Sequence, residues 1–268
     1  MNKLLKQILM GATVVAFTAC GGGGGGGTPT DTEVQSGGEI TTDGTGGTNT
    51  GGGNNTPEEV FSITHNGTTY GVVKSPYTGK VWLDRNLGAA RVCTSFNDNA
   101  CYGDYYQWGR NFDGHQDSMS AITKIHATDI NNAGSLFITD YASDWTKETV
   151  EKKIDYNGVK RSANWSKTDG SSVCPVGFRV PTLLEVKAEI VESSLSLRNN
   201  VSTTFLKMPF SGGRSGYTGE MDGLGTVLLV WTNSIGVAGR QSFYVSSGAA
   251  TALATARNEG LPIRCITD

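Results

Sequence analysis

The chain has 268 residues, 37 of them glycine and only 18% charged, which is enough sequence for one sizeable domain together with a long stretch that cannot fold. A formal net charge of -3, with the Lys and Arg residues scattered along the chain, leaves no basic surface and excludes nucleic acid as an expected partner. No run is long and apolar enough to cross a bilayer, which takes about 20 apolar residues in succession.

Lys3 and Lys6 precede an apolar run from Ile8 to Ala19 that stops at Cys20. The run is short for a membrane span and reads as a signal peptide. Phe17-Thr18-Ala19-Cys20 resembles the lipobox of bacterial lipoproteins, with Phe17 standing where leucine is usual. That resemblance implies that residues 1–20 are a lipoprotein leader ending at Cys20, whose sulfur receives a diacylglyceryl group and which becomes the mature N-terminus. Multiple acyl chains make such attachment effectively permanent and imply a place in the outer membrane or on the cell surface. From Gly21 to Thr56 the composition shifts to seven consecutive glycines, then Thr, Asp, Asn and more Gly, with Val34 and Ile40 the only aliphatic residues. Such a segment cannot bury enough apolar surface to offset its ordering entropy, so residues 21–56 are expected to be a disordered tether. With about 36 residues it reaches roughly 35 Å on flexible-chain scaling.

Residues 57–268 form the expected domain. Val60 to Thr64 and Thr68 to Val73 flank His65-Asn66-Gly67, and Asn-Gly between alternating β-formers predicts a hairpin. Ser75-Pro76-Tyr77-Thr78-Gly79 makes a second turn into Lys80-Val81-Trp82-Leu83. The pattern weakens between about Asp113 and Asp169, although Asp144 to Ile154 reads as a helix with Trp145, Val150 and Ile154 on one side. In Cys174-Pro175-Val176-Gly177-Phe178-Arg179-Val180-Pro181-Thr182-Leu183-Leu184-Glu185, a turn leads into a short strand and then a capping box, Thr182 with Glu185. One main helix over about 183–198 follows, burying Leu183, Val186, Ile190 and Leu197, with Lys187, Glu189 and Glu192 toward water. Phe205 to Phe210, Val227 to Trp231, Ser242 to Val245 and Pro262 to Ile266 read as strands. The class is α+β: few helices, many short strands, long loops.

Beyond Cys20 stand Cys93, Cys101, Cys174 and Cys265. A leader that exports the chain makes disulfides the natural use of the four. Three connectivities exist; nearness in sequence favours Cys93 with Cys101, leaving Cys174 with Cys265. Zinc would compete for them, but no spacing matches C-x2-C.

The stretch from Cys174 to Glu185 resembles the centre of the Fibrobacter succinogenes major paralogous domain, found in bacterial surface and secreted proteins. Other motifs follow the family in order: Val81-Trp82-Leu83-Asp84-Arg85-Asn86-Leu87-Gly88, Tyr102-Gly103-Asp104-Tyr105-Tyr106-Gln107-Trp108-Gly109-Arg110, Leu206-Lys207-Met208-Pro209-Phe210-Ser211-Gly212-Gly213-Arg214, and Ile263-Arg264-Cys265-Ile266. The match spans roughly residues 60 to 268. The resemblance implies a C-type-lectin-like fold and no settled activity. The family's Tyr-Trp before Ser-Ser stands here as Val230-Trp231-Thr232-Asn233, where a ligand loop would lie.

Chemistry is sparse in the sequence. His65, His115 and His126 are not paired at metal-ligand spacing, and Gly213-Arg214-Ser215-Gly216 lacks the second glycine of a nucleophile elbow. Asp98, Asp104, Asp113 and Asp117 form no EF-hand loop. A lectin-type calcium site would want Glu-Pro-Asn or Gln-Pro-Asp plus Trp-Asn-Asp, which Trp231-Thr232-Asn233 matches only loosely, so no metal or cofactor is assigned and calcium is the one ion left open. Trp82, Tyr105, Tyr106 and Trp108 are expected in the core. The glycine-rich excursion from Gly212 to Gly225 is expected to project from the scaffold as a ligand loop. Arg214, Tyr217, Glu220 and Asp222 there, with Trp231, Asn233 and Arg240 beyond, offer the rings, forks and acceptors that a glycan or a protein epitope would use. The expected function is a membrane-anchored envelope lipoprotein presenting a lectin-like binding domain. A formylglycine-generating type of enzyme would need redox-active cysteines, and a structural envelope lipoprotein would need no small ligand.

Overall fold

The computed structural model describes residues 61–141, 143–147, 155–192, 204–236, 242–246 and 249–268. The leader with Cys20, the tether, Leu197 and Arg240 lie outside them. The strands are β1 (Ser62–His65), β2 (Thr68–Lys74), β3 (Val81–Leu83), β4 (Tyr106–Gln107), β5 (Ile122–Thr123), β6 (Phe137–Ile138), β7 (Phe178–Arg179), β8 (Gly213–Arg214), β9 (Met221–Asp222), β10 (Leu228–Trp231), β11 (Ser242–Ser246), β12 (Ala249–Leu253), β13 (Gly260–Leu261) and β14 (Ile266–Thr267). The α-helices are α1 (Val159–Trp165) and α2 (Leu183–Glu192). Nearly every strand pair is antiparallel, β5 with β6 being parallel, so the architecture is mixed α and β with short strands and long loops.

β1 and β2 pair from Ser62 with Gly71 down to His65 with Thr68, which leaves Asn66 and Gly67 as a two-residue turn. Their φ angles are 47° and 77°, the left-handed values that such a turn requires and that Asn-Gly tolerates best. A five-stranded sheet then runs β1-β2-β3-β14-β7, so the last strand lies between an early strand and the one that leads to α2. Cys174 and Cys265 bond across this place, and Cys93 bonds to Cys101.

The three-stranded sheet β10-β11-β12 is packed on both faces. Leu229, Trp231, Tyr244 and Leu253 join Trp108, Trp165, Phe178 and Ile263 in one cluster. Leu228, Val230, Phe243 and Val245 join Trp82, Val186, Ile190 and Phe210 in the other. A strand covered on both sides has no solvent face, which is why Leu228-Leu229-Val230-Trp231 is apolar without alternation. All five tryptophans are buried, and each indole N–H has an acceptor. Trp108 donates to Thr232 O at 2.9 Å, Trp145 to Trp108 O at 2.9 Å, Trp165 to Arg110 O at 3.1 Å, Trp231 to Tyr106 O at 2.6 Å and Trp82 to Glu189 Oε1 at 3.2 Å.

The capping box forms as its spacing requires: the Glu185 amide donates to Thr182 Oγ1 at 3.2 Å, and the Thr182 amide to Glu185 Oε2 at 2.7 Å. α2 is described to Glu192, and the expected stretch to 198 lies outside the described residues. Glu189 corrects the expectation of a solvent-facing carboxylate, being only 1% exposed. It accepts from Ser75 Oγ at 2.6 Å, from Thr78 Oγ1 and from the Trp82 indole, so neutral donors more than 100 residues away hold it inside.

Two other expectations are revised. Residues 144–147 are not helical. Trp145 is instead fixed in a small cluster with Ala127 and Ile138, while Asp144 receives the guanidinium groups of Arg161 and Arg257. The rest of the expected helix, 148–154, lies outside the described residues. The described helix that follows is α1, whose first turn is capped by Asp155 accepting from the Lys160 and Arg161 amides at 2.8 and 3.1 Å. Residues 205–210 form no strand; Leu206, Met208 and Phe210 are buried, but Leu206 O serves the buried Arg264 at 2.6 Å rather than a ladder.

Candidate functional site

The segment from Gly212 to Gly225 is a hairpin stitched into the scaffold rather than a free excursion. β8 and β9 pair with each other, and β8 also pairs with β13, giving a four-stranded sheet in the order β4-β13-β8-β9. Its turn is closed by Ser215 N donating to Glu220 O and Gly219 N donating to Ser215 O, both at 2.8 Å. The Ser215 hydroxyl accepts from the Tyr217 and Thr218 amides at 3.2 Å each.

Arg214 lies under this turn at 3% exposure. Its guanidinium donates to Gly219 O, Asp117 O, Ser120 Oγ and Ser120 O at 2.6 to 3.0 Å and stacks 4.2 Å above the Phe137 ring. Burial lowers its pKa, offset in part by the charge of Asp117. All three guanidinium nitrogens of Arg214 are therefore engaged inside the protein.

Asn258, 1% exposed, is the other anchor. Its Nδ2 donates to Asp140 O and to Gly216 O, both at 2.8 Å, and the Asp140 amide donates to Gly216 O at 2.8 Å. These are the residues just before Tyr141 and Tyr217. One buried side chain thus fixes the backbone ahead of each tyrosine, and the two rings meet with centroids 4.0 Å apart at 59°. Tyr141 is 78% exposed, and Tyr217 is half-buried. Gly216 admits this arrangement because a Cβ there would come within 2.6 Å of the Asn258 backbone.

Glu259 completes the support by accepting from the Gly216 amide at 2.9 Å. Burial pushes its carboxyl up to about 7, with the charge of Asp222 adding to the rise and the Gly216 bond opposing it. Beside the pair, the ring of His126 meets the Asp140 carboxylate. Ile122, 51% exposed, packs against Gly219.

The residues expected to bind ligand divide sharply. Arg214, Trp231 and Asn233 are buried. Asn233 donates from Nδ2 to Ser166 Oγ at 3.0 Å, accepts from Ser162 Oγ at 2.6 Å on its carbonyl, and so ties β10 to α1. Glu220 is exposed on the hairpin, and Tyr217 and Asp222 are half-buried there. Arg240 lies outside the described residues. Tyr141, Asn258 and Glu259 were not anticipated; the polar run Arg257-Asn258-Glu259, separated only by Gly260 from Leu261-Pro262-Ile263, is the signal that could have pointed to buried polar anchors.

The remaining histidine and cysteine clusters of the core are structural. His115 accepts from the Gln107 amide at 2.9 Å on Nε2 and faces Asp113 on Nδ1, and burial pushes it down to about 4, so it is a neutral structural histidine. The four domain cysteines are buried in their two disulfides. Among the described residues no three His, Cys, Asp or Glu side chains cluster to hold a metal ion, and no helix is long and apolar enough to cross a membrane. No family model, curated protein or solved structure matches the chain.

Proposed function

We propose that the chain is a lipoprotein of the outer membrane or cell surface, lipid-anchored at Cys20. In this reading residues 57–268 are a C-type-lectin-like domain of the Fibrobacter succinogenes major paralogous type, displayed on the 21–56 tether to bind an extracellular ligand. The observation that carries the binding reading is the tyrosine pair held by Asn258: a buried amide fixes the backbone before both Tyr141 and Tyr217, with the Tyr141 ring exposed and the half-buried Tyr217 ring against it. Pre-ordering of rings before contact is what lowers the entropic cost of binding, and tyrosine is favoured at such surfaces because it loses little freedom. Burial of all four domain cysteines in disulfides supports this reading over a formylglycine-generating type of enzyme, which would need a reactive thiol.

Two measurements test it. The Cys20→Ser chain is expected to leave the membrane fraction, and firm retention would refute the anchor. Full-length protein carrying Tyr141→Ala and Tyr217→Ala together is expected to lose co-sedimentation with isolated envelope and surface material. Undiminished co-sedimentation would move the site elsewhere.

A further inference from the structure

We propose that the Tyr141–Tyr217 surface binds an uncharged polysaccharide chain, an inference that rests on the binding reading above and assigns its ligand class. The face of a tyrosine ring is electrically negative and its edge positive. A pyranose ring offers the complement, a patch of weakly positive C–H groups bounded by hydroxyls, so it can lie on the ring face while its rim reaches polar neighbours. Those neighbours are in place: Thr218 and Glu220 are exposed on the same hairpin turn, and Asp140 stands immediately before Tyr141.

The angle between the rings bears on what can lie there. At 59° and 4.0 Å the two rings touch each other and leave no slot in which a flat aromatic ligand could be sandwiched. Their faces point in different directions. Successive units of a polysaccharide are rotated about the glycosidic bonds, so neighbouring sugars can meet two inclined faces in turn where one rigid plane cannot. Charge narrows the class further. Glu220 and Asp222 lie on the hairpin, Asp140 beside Tyr141, and Asp117 offers its carbonyl to Arg214. Arg214 is buried and committed, His126 faces Asp140, and Lys124 is the one Lys or Arg within 117–125. Among the described residues named here the rim is therefore acidic, which disfavours uronic-acid polymers, while its carboxylates remain good acceptors for sugar hydroxyls.

The test uses the full-length protein in detergent, titrated calorimetrically with a linear β-1,4-glucose hexamer, a mannose hexamer and a galacturonic acid hexamer. Binding of at least one neutral hexamer is expected, with the uronate hexamer bound at least tenfold more weakly. Tyr141→Ala and Tyr217→Ala should each weaken the neutral sugar about tenfold or more. Tyr217→Trp, which keeps a ring face, should retain it, as should Tyr77→Ala on a remote exposed tyrosine and Ile125→Ser beside His126. Tyr141 is exposed enough to remove without unfolding, and near-ultraviolet circular dichroism checks each variant. Neutral-sugar binding that survives both alanine variants overturns the assignment, as does preference for the uronate. Should no hexamer bind while envelope material is still held in a tyrosine-dependent way, the glycan class is wrong and the binding reading stands with a protein ligand. If envelope binding fails as well, both readings fall.

Discussion

Gln107 and Ile138 are joined as neighbouring strand residues would be, but by a side chain on one side: Gln107 Nε2 donates to Ile138 O at 2.6 Å, and the Ile138 amide donates to Gln107 Oε1 at 3.2 Å. The same carboxamide donates to Asn258 O at 2.7 Å and accepts from Arg110 Nη1 at 2.7 Å. One fully buried amide therefore connects β4, β6 and the residue that anchors both tyrosines.

Gln107→Glu keeps the shape and removes the donors. An oxygen would face two carbonyls at a fully buried position, so the change should cost about 3 kcal/mol or more, the sum expected for buried acceptors left unpaired. Urea unfolding measures it. A Gln107→Glu protein as stable as the parent would mean that this bridge contributes nothing.

Arg214 invites a prediction about stability where its sequence suggested one about ligand contact. Lysine keeps the charge but cannot supply the planar fork that reaches Gly219 O, Asp117 O and both oxygens of Ser120. Arg214→Lys should cost about 2 kcal/mol, whereas Glu220→Ala, on the exposed tip, should stay within about 0.5 kcal/mol. Thermal melting of the two variants side by side gives the comparison, and equal melting temperatures would contradict the role assigned to Arg214.

The two disulfides close loops of very different length, with separations of 8 and 91 residues. Chain entropy then predicts about 2.5 kcal/mol from Cys93–Cys101 and about 4.5 kcal/mol from Cys174–Cys265. Non-reducing peptide mapping should recover both pairs, and the Cys174→Ser, Cys265→Ser protein should unfold at markedly lower denaturant than Cys93→Ser, Cys101→Ser. The reverse order would show that the clamp between β7 and β14 is dispensable.

What could be read from the sequence was local. Asn66-Gly67 dictates its turn and Thr182 with Glu185 its helix start because every partner lies within a few residues. The main strands β10 and β11 were likewise legible from apolar runs. Glu189 was misjudged because helical periodicity places it on a face without saying what covers that face; Ser75, Thr78 and Trp82 do so from far along the chain. The site was half legible for the same reason. Glycines around Arg214 marked the hairpin, but they serve close packing, as where a Cβ on Gly219 would come within 2.6 Å of Ile122. Tyr141 lies in the stretch with the weakest pattern, and only the fold brings it to Tyr217.

Glu259 couples this arrangement to pH. An ordinary glutamate titrates near 4.5, and burial raises this one to about 7. Between those values the folded chain keeps a proton that the unfolded chain has lost. By linkage, stability contributed through this group is present below about 4.5 and is lost as pH rises toward 7. Above 7 the folded protein holds a buried charge near Asp222. Glu259→Gln keeps an oxygen for the Gly216 amide and removes the titration. The variant should therefore melt higher than the parent at pH 8, differ little from it at pH 5, and show a flatter profile between. Parallel melting curves for the two proteins across pH 5 to 8 would rule out Glu259 as a titrating support of the Tyr217 turn.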